Sequence, residues 1–352
     1  MAVSLTATAL AVMGLAACSS SSQDPSSAGG APSSDGSSPA GQPSGATVAY
    51  TGPEAGLPTS YSVSKSAKPF TIGWEIINPN AETSAQADAA QAETERLGGS
   101  FKVLNDNGEP STQLQNCKLL VSEHVSAIVV YPFVPEALAP CFASATAAGI
   151  KIVAQQDPSS ASPAALPEHL STSVLQAWDY GAYLRCQGAA EADPHSSFAM
   201  IGLGIPIAAF DYSQTQTIHW CESFGLHYLG LVNETAESAS ATDTAMNTIL
   251  TKWATVGTVF VLDDVTALPA SVVARTSHSK VRVIGDGGEA DALTAIKQGQ
   301  LFGTLWIDFA AEGTNLADAA VNLINGHPVP KYVTTPIKFV TAANVGSVKG
   351  WG

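Results

Sequence analysis

An α/β fold of two similar lobes is what this sequence predicts, and three observations carry the prediction. From Pro69 onward, short apolar runs alternate with segments of helical period, the pattern of parallel strands joined by crossover helices. The alternation runs through two series. The stretch that carries it, about 285 residues, is too long for one ordinary core and suits two lobes.

In the first series, the apolar runs at residues 70–76, 101–104, 127–131 and 151–154 are expected as strands. Between them, residues 82–97 read as a helix stopped by Gly98-Gly99, 111–123 as a second, and 135–148 as a third ending at Gly149, where a glycine takes the left-handed cap conformation. A long helix over residues 174–192 is expected to open the second lobe. The second series of strands falls at 198–203, 227–232, 258–262, 281–284 and 302–306.

What precedes this body has a different character. Residues 5–17 form a short apolar run ending in Leu15-Ala16-Ala17-Cys18, a lipobox that predicts a signal peptide over 1–17 and lipidation of Cys18. No Lys or Arg precedes Lys65, whereas a signal peptide begins with positive charge, which implies a true start upstream. From Ser19 to Ser66 the chain is dominated by Ser, Gly, Pro and Ala. Such a composition buries too little apolar surface to offset its ordering entropy, so residues 18–67 are expected to form a disordered tether with a reach of about 40 Å.

Charge and cysteines narrow the partners. With 30 acids against 15 bases and a net charge of −15, there is no basic stripe to neutralise phosphates, which excludes nucleic acid. Cys117, Cys141, Cys186 and Cys221 remain after Cys18. An even number in an exported chain suggests disulfides, with buried small hydrophobes as the alternative.

Open α/β sheets bind ligands beyond the carboxyl ends of their strands. The residues just after the predicted strands are rich in carboxylates, amides and aromatics: Glu75, Asn78, Tyr131, Phe133, Gln156, Asp157, Phe210, Asp211, Asn233, Asp263, Asp264, Asp286, Trp306 and Asp308. Catalytic signatures are absent, with no Gly-x-Ser-x-Gly, no Walker lysine loop and no His-Glu-x-x-His. Gly202-Leu203-Gly204 begins like a dinucleotide fingerprint, but Ile207 stands in place of its third glycine. No histidine pair has zinc spacing, and Asn105-Asp106-Asn107-Gly108 lacks the distal glutamate of a calcium loop. No metal or cofactor is therefore expected.

The turn Gly285-Asp286-Gly287-Gly288 follows an apolar run. A phosphate cradle offers backbone N–H groups to an anion, and Asp286 would repel one. Its carboxylate suits a ligand carrying hydroxyl or amine donors; the alternative is a cap on the helix that begins near Glu289.

The order of these pieces resembles the type I periplasmic binding proteins, in the ribose- and galactose-binding branch of ABC-transporter solute receptors. The likeness covers residues 70–345 and rests on "TIGWEIINPN", on "STQLQNCKLLVSEHVSAIVVYPFVPEALAPCFASATAAGIKIVAQQD", and on "VIGDGGEADALTAIKQGQLFGTLW" followed by "AAEGTNLADAAVNLINGHPVPKYVTTPIKFVTAANV". It implies two Rossmann-like lobes with parallel sheets joined by a three-crossing hinge, residues 68–172 plus 308–335 forming the first lobe and 173–307 plus 336–350 the second. Carried over by position, the ligand contacts are Glu75, Asn78 and Asn80 after the first strand, Asp157 after the fourth, Asp263 and Asp264 where the family has Asn-Asp, Asp286, and Trp306 and Asp308 near the last crossing. Two family arginines are missing: Pro158 replaces one, and Gln214, Gln216 and His219 offer no second. What remains is acceptor-rich and hostile to anions, suited to a neutral polyol or a cation. Trp74, Tyr131, Phe133, Phe210 and Trp306 are aromatics that could stack on such a ligand.

Right-handed crossovers in this fold place Cys117 beside Cys141 and, by the same logic, Cys186 beside Cys221. The expected protein is a monomeric, lipid-anchored solute-binding protein on the outer face of a bacterial membrane, serving an ABC permease and binding a sugar or polyol, not an enzyme. A receptor of the same fold signalling to a membrane kinase, or a binder of a cationic amine, are the alternatives.

Overall fold

The structure, a computed structural model, describes residues 48–155, 166–204 and 208–352. Its first half runs β1 (Thr71–Ile76), α1 (Ala81–Arg96), β2 (Ser100–Asn105), α2 (Pro110–Ser122), β3 (Ala127–Val130), α3 (Pro135–Ala147), β4 (Lys151–Gln155) and β5 (Thr172–Leu175). The second half continues α4 (Trp178–Ala192), β6 (Ser197–Leu203), α5 (Ala208–Ser223), β7 (His227–Glu234), α6 (Ala239–Lys252), β8 (Val256–Phe260), α7 (Asp264–Thr276), β9 (Arg282–Gly287), α8 (Ala290–Lys297), β10 (Gly303–Ile307), α9 (Phe309–Ile324), β11 (Tyr332–Thr334) and β12 (Ile337–Thr341).

Two sheets result, as the alternation predicts. The first has the order β11-β5-β4-β3-β1-β2, with every pairing parallel. The second has the order β12-β10-β9-β8-β6-β7 and is parallel except for the antiparallel edge strand β12. Central strands such as β3, with all four residues buried, carry near-continuous Val and Ile because helices cover both faces of a parallel sheet. The chain passes between the sheets at 175–178, 307–309 and 334–337. These crossings are bonded to one another, Thr335 N–H donating to Leu175 O at 2.7 Å and Asp308 N–H to Pro336 O at 3.0 Å.

Three elements differ from the sequence expectation. The helix predicted from residue 174 begins at Trp178, because residues 172–175 are fully buried and pair as β5 between β4 and β11. The left-handed Ala177, at φ 56°, separates strand from helix. Strands β11 and β12 were not among the predicted strands: they are short and flanked by Pro330 and Pro336. At the N-terminal side, residues 48–66, counted in the tether by composition, lie against the body through hydrogen bonds and ring contacts.

The cysteines pair as expected from the fold, Cys117 to Cys141 between α2 and α3, and Cys186 to Cys221 between α4 and α5. Residues 105–108 form a turn in which Asn107 N–H donates to the Asn105 side chain at 2.9 Å. Among the described residues, no group of His, Cys, Asp and Glu is placed to hold a metal ion, and no helix is long and apolar enough to cross a membrane.

Candidate functional site

The carboxyl ends of both sheets carry acids, and their surroundings separate structural roles from available ones. Glu75 closes β1 with no exposed surface, and neither carboxylate oxygen has a hydrogen-bond partner. Burial, reinforced by nearby Asp106, pushes its carboxyl up to about 9. Asp106 itself is held by the amides of Gln113 at 2.9 Å and Asn116 at 2.8 Å.

Asn80 opens α1 with a reciprocal cap: its side chain accepts from Thr83 N–H at 2.8 Å, and the Thr83 hydroxyl accepts from Asn80 N–H at 2.9 Å. Asn80 and Asn78 are exposed, and the Asn78 carbonyl accepts from the Thr83 hydroxyl at 2.7 Å. That cap fixes the first turn of α1, and with it Glu82. The half-buried Glu82 accepts from Gln176 at 3.1 Å and from Gln86 at 3.3 Å. Behind it, the fully buried Glu312 of α9 accepts from Gln155 and Gln176 at 3.1 Å each and from Gln86 at 3.3 Å. Burial raises Glu82 to about 7 and Glu312 to about 8; the first is raised further by Asp286 and Asp263 of the second lobe, the second by Glu82. Gln176, on the first crossing, donates to both.

In the second lobe, Asp286 ends β9 almost fully buried, with Oδ2 3.0 Å from Nη1 of the equally buried Arg185. This is a charge contact rather than an aligned hydrogen bond, since Oδ2 has no hydrogen-bond partner. Burial lifts the Asp286 carboxyl to about 7 against the opposing pull of Arg185, and Asp263 adds to the rise. Nη2 of Arg185 reaches the hydroxyls of Ser213 and Thr217, both at 3.3 Å.

Asp264, expected as a ligand contact, is fully buried at the start of α7. Its carboxylate accepts from Gly288 N–H at 2.7 Å, Glu289 N–H at 2.9 Å and the Thr304 hydroxyl at 2.6 Å, so its acceptors hold the turn after β9. Gly285 is needed for this packing, since a Cβ there would lie 2.1 Å from Asp264 Oδ1. Asp263 caps α7 by accepting from Thr266 N–H at 2.7 Å, and Asp308 caps α9 by accepting from Ala311 N–H at 3.0 Å. The helix after the turn has Glu289 at its N-cap without a side-chain bond, so Asp286 is not its cap.

The aromatics scatter. Trp74 is wholly buried in the first core, edge-on to Phe101 at 6.0 Å, and is not a ligand surface. Phe133 is half-buried beside Tyr131, Phe210 half-buried beside Trp178, and Trp306 donates to Lys349 O at 2.9 Å. Asp157 and Cys18 lie outside the described residues. A cavity of about 910 Å³ on the second lobe is lined by Val281, Arg282, Arg275 and Phe339; it opens at the start of β9, whereas Asp286 stands at its end.

No protein-family model matches the chain. Among curated proteins, the ribose import binding protein of Bacillus subtilis is 24% identical over 285 residues, 80% of this chain and 90% of that protein. A solved ABC-transporter solute-binding protein from Mycobacterium smegmatis with bound glycerol superposes with TM-score 0.69 at 22% identity, over 81% of this chain and 98% of that one. This chain has the type I periplasmic binding protein fold. A Bacillus halodurans solute-binding protein with bound myo-inositol shares that fold at TM-score 0.69 and 20% identity, over 79% of this chain and 96% of that one.

Across the lobes, Asp263 and Asp286 act on Glu82 and raise it, and only these two aspartates stood out in the sequence. Reasoning from strand ends missed Glu82, Gln86, Gln176, Arg185 and Glu312 because all lie on helices or at a crossing. It also missed Trp351, whose indole donates to Gly287 O at 2.8 Å and packs edge-on to Phe309 at 4.8 Å. The sequence shows no second-lobe arginine at the family position, and Arg185 of α4 brings a guanidinium to Asp286.

Proposed function

We propose that the protein is a solute-binding component of an ABC importer that holds a small, hydroxyl-rich ligand between its lobes. The observation that carries this reading is that Asp286 and Asp263 on the second lobe lie close enough to Glu82 on the first to raise its carboxyl further, beyond what burial does. Closing brings like charges together, and donors on a ligand between them relieve the repulsion. Glu75, buried without a partner, offers a further acceptor or, when protonated, a donor. The ligand thus stabilises closure through contacts that exist only when both lobes engage it. Glycerol and myo-inositol, bound by the structural relatives, have this chemistry.

The lobes in this reading divide at the three crossings, 68–175 with 308–335 and 176–307 with 336–350, the first boundary falling three residues beyond the expected 172 because β5 carries the first sheet on to Leu175. In this reading the protein is a monomer, tethered through the lipobox cysteine Cys18 to the outer face of the membrane and working beside its permease. An amine-bearing ligand is the second reading, favoured by the acid excess and by Arg185 being already engaged with Asp286.

A thermal-shift screen of polyols, neutral sugars, amino sugars and simple amines tests both, because a ligand bound only by the native state raises its stability by about 2.7 kcal/mol at a hundred times Kd. The reading expects a polyol or sugar, neutral or amine-bearing, to raise Tm by several degrees, and Asp286→Ala to reduce that shift. Failure of every member of the screen overturns it.

A further inference from the structure

Residues 48–64 precede the first strand and read as tether, yet they are anchored to both lobes. At one end, Tyr183 donates to Val48 O at 2.8 Å, and the Tyr50 ring sits among Tyr180, Tyr183 and Trp220 with centroids 4.8, 5.3 and 5.4 Å away. All three rings belong to α4 and α5 of the second lobe. Helix α4 starts at the left-handed Ala177 with no side-chain cap of its own. Glu54 supplies one, accepting from Tyr180 N–H at 2.8 Å and Asp179 N–H at 3.3 Å. Gly52 lets the segment close on this helix, since a Cβ there would lie 2.6 Å from Asp179 Oδ2.

Four residues later the segment is on the first lobe. Pro58 O accepts from Thr334 N–H of β11 at 2.9 Å, and the Tyr61 and Thr172 hydroxyls lie 3.2 Å apart. Asn315, Asn322 and Asn325 then donate in turn to the carbonyls of Thr59 at 3.0 Å, Ser62 at 3.1 Å and Ser64 at 3.1 Å. The first two asparagines are seven apart on α9, which puts them on one face, and the segment runs along that face in the same direction as the helix. Tyr61 and Val63 pack onto the first-lobe core.

The anchors on either side of the gap, Asp179 with Tyr180 and Thr334, directly follow the first crossing and precede the third. We infer that residues 48–64 are a strap acting as a fourth strand of the hinge, holding the ligand-free lobes near their closed arrangement and limiting how far they part. Between Glu54 and Pro58 the chain reaches at most about 14 Å. A rotation that separates the two anchors further must strip one of them, either the α4 cap with its aromatic contacts or the asparagine ladder. The strap also links the upstream chain to both lobes, so any pull along that chain falls on the hinge.

The test measures lobe separation without ligand, so it is decided whether or not the cleft binds a polyol. Nitroxides attached through Ser144→Cys on the first lobe and Thr244→Cys on the second, both exposed helix positions, report the interlobe distance in the full chain by pulsed electron paramagnetic resonance. Glu54→Ala with Tyr50→Ala frees the second-lobe end; Asn315→Ala with Asn322→Ala frees the other. Each is expected to add a longer-distance population absent from the parent. If the closed fraction falls to about one fifth, ligand affinity drops about fivefold with the cleft residues untouched. Should the aromatic variant fail to fold, the asparagine variant decides alone. An unchanged distance distribution in every folded variant overturns the strap.

Discussion

In the first lobe, Glu82 and Glu312 are held by the neutral amides of Gln86, Gln155 and Gln176; in the second, Asp286 faces the guanidinium of Arg185 at 3.0 Å. Amides donate hydrogen bonds but bring no net charge, so burial keeps Glu312 high, at about 8. Arg185 brings a full charge, which pulls against the burial that raises Asp286. The second lobe therefore supplies its own counter-ion, whereas the first awaits protons or the donors of a ligand.

Removing the counter-ion should have the largest effect. Arg185→Met strands Asp286 in a buried site and leaves Ser213 and Thr217 without their shared partner. Breaking a buried pair from one side costs about 3–5 kcal/mol; denaturant unfolding should show this, and adding Asp286→Asn should recover part of it. Asp264→Ala comes next. It orphans Gly288 N–H, Glu289 N–H and the Thr304 hydroxyl, at a cost of about 3 kcal/mol after partial access to water. A loss under about 1 kcal/mol would mean the turn after β9 holds its shape unaided.

Near pH 5 the smallest effect is expected from Glu312→Gln, and it grows with pH. A carboxyl raised in the folded state binds more protons there than in the unfolded chain, so its stabilising contribution is complete below the ordinary carboxylate range, about 4, and is lost as pH rises through the folded value. For Glu312 that value is about 8. Wild type should thus lose stability between about pH 4 and pH 8. Glu312→Gln should match it near pH 5 and exceed it increasingly as pH rises towards 8. Parallel pH profiles for the two proteins would show that the amide cluster does not hold a proton.

How much of this was legible in the sequence follows from the range of each interaction. The two-lobed α/β fold was legible because strand and helix periods are local, and the buried Asp286 because it lies at the carboxyl end of its strand. The role of Asp264 was not, since Thr304 and Gly288 come to it only through the pairing of β9 with β10. Arg185 looked like an ordinary mid-helix residue, and nothing in α4 points to Asp286 a hundred positions away. Strand β5 was read as helix because Val174 and Leu175 continue the apolar period of α4, and the break depends on the left-handed Ala177. The strap was concealed by its Ser, Gly and Pro content, although Tyr50, Glu54 and Tyr61 interrupt that composition at the positions that anchor it.

The central claim is that acids from both lobes meet the ligand together. Calorimetric titration of the best ligand from the thermal screen into wild type, Glu82→Gln and Asp286→Asn tests it most directly, run at pH 7 in buffers of different ionisation enthalpy. Donors on the ligand favour the ionised carboxylates and lower their pKa values, so wild type should release protons on binding, and each variant should bind at least about tenfold more weakly with less release. Affinities within about threefold of wild type in both variants, with heats that do not depend on the buffer, would contradict it.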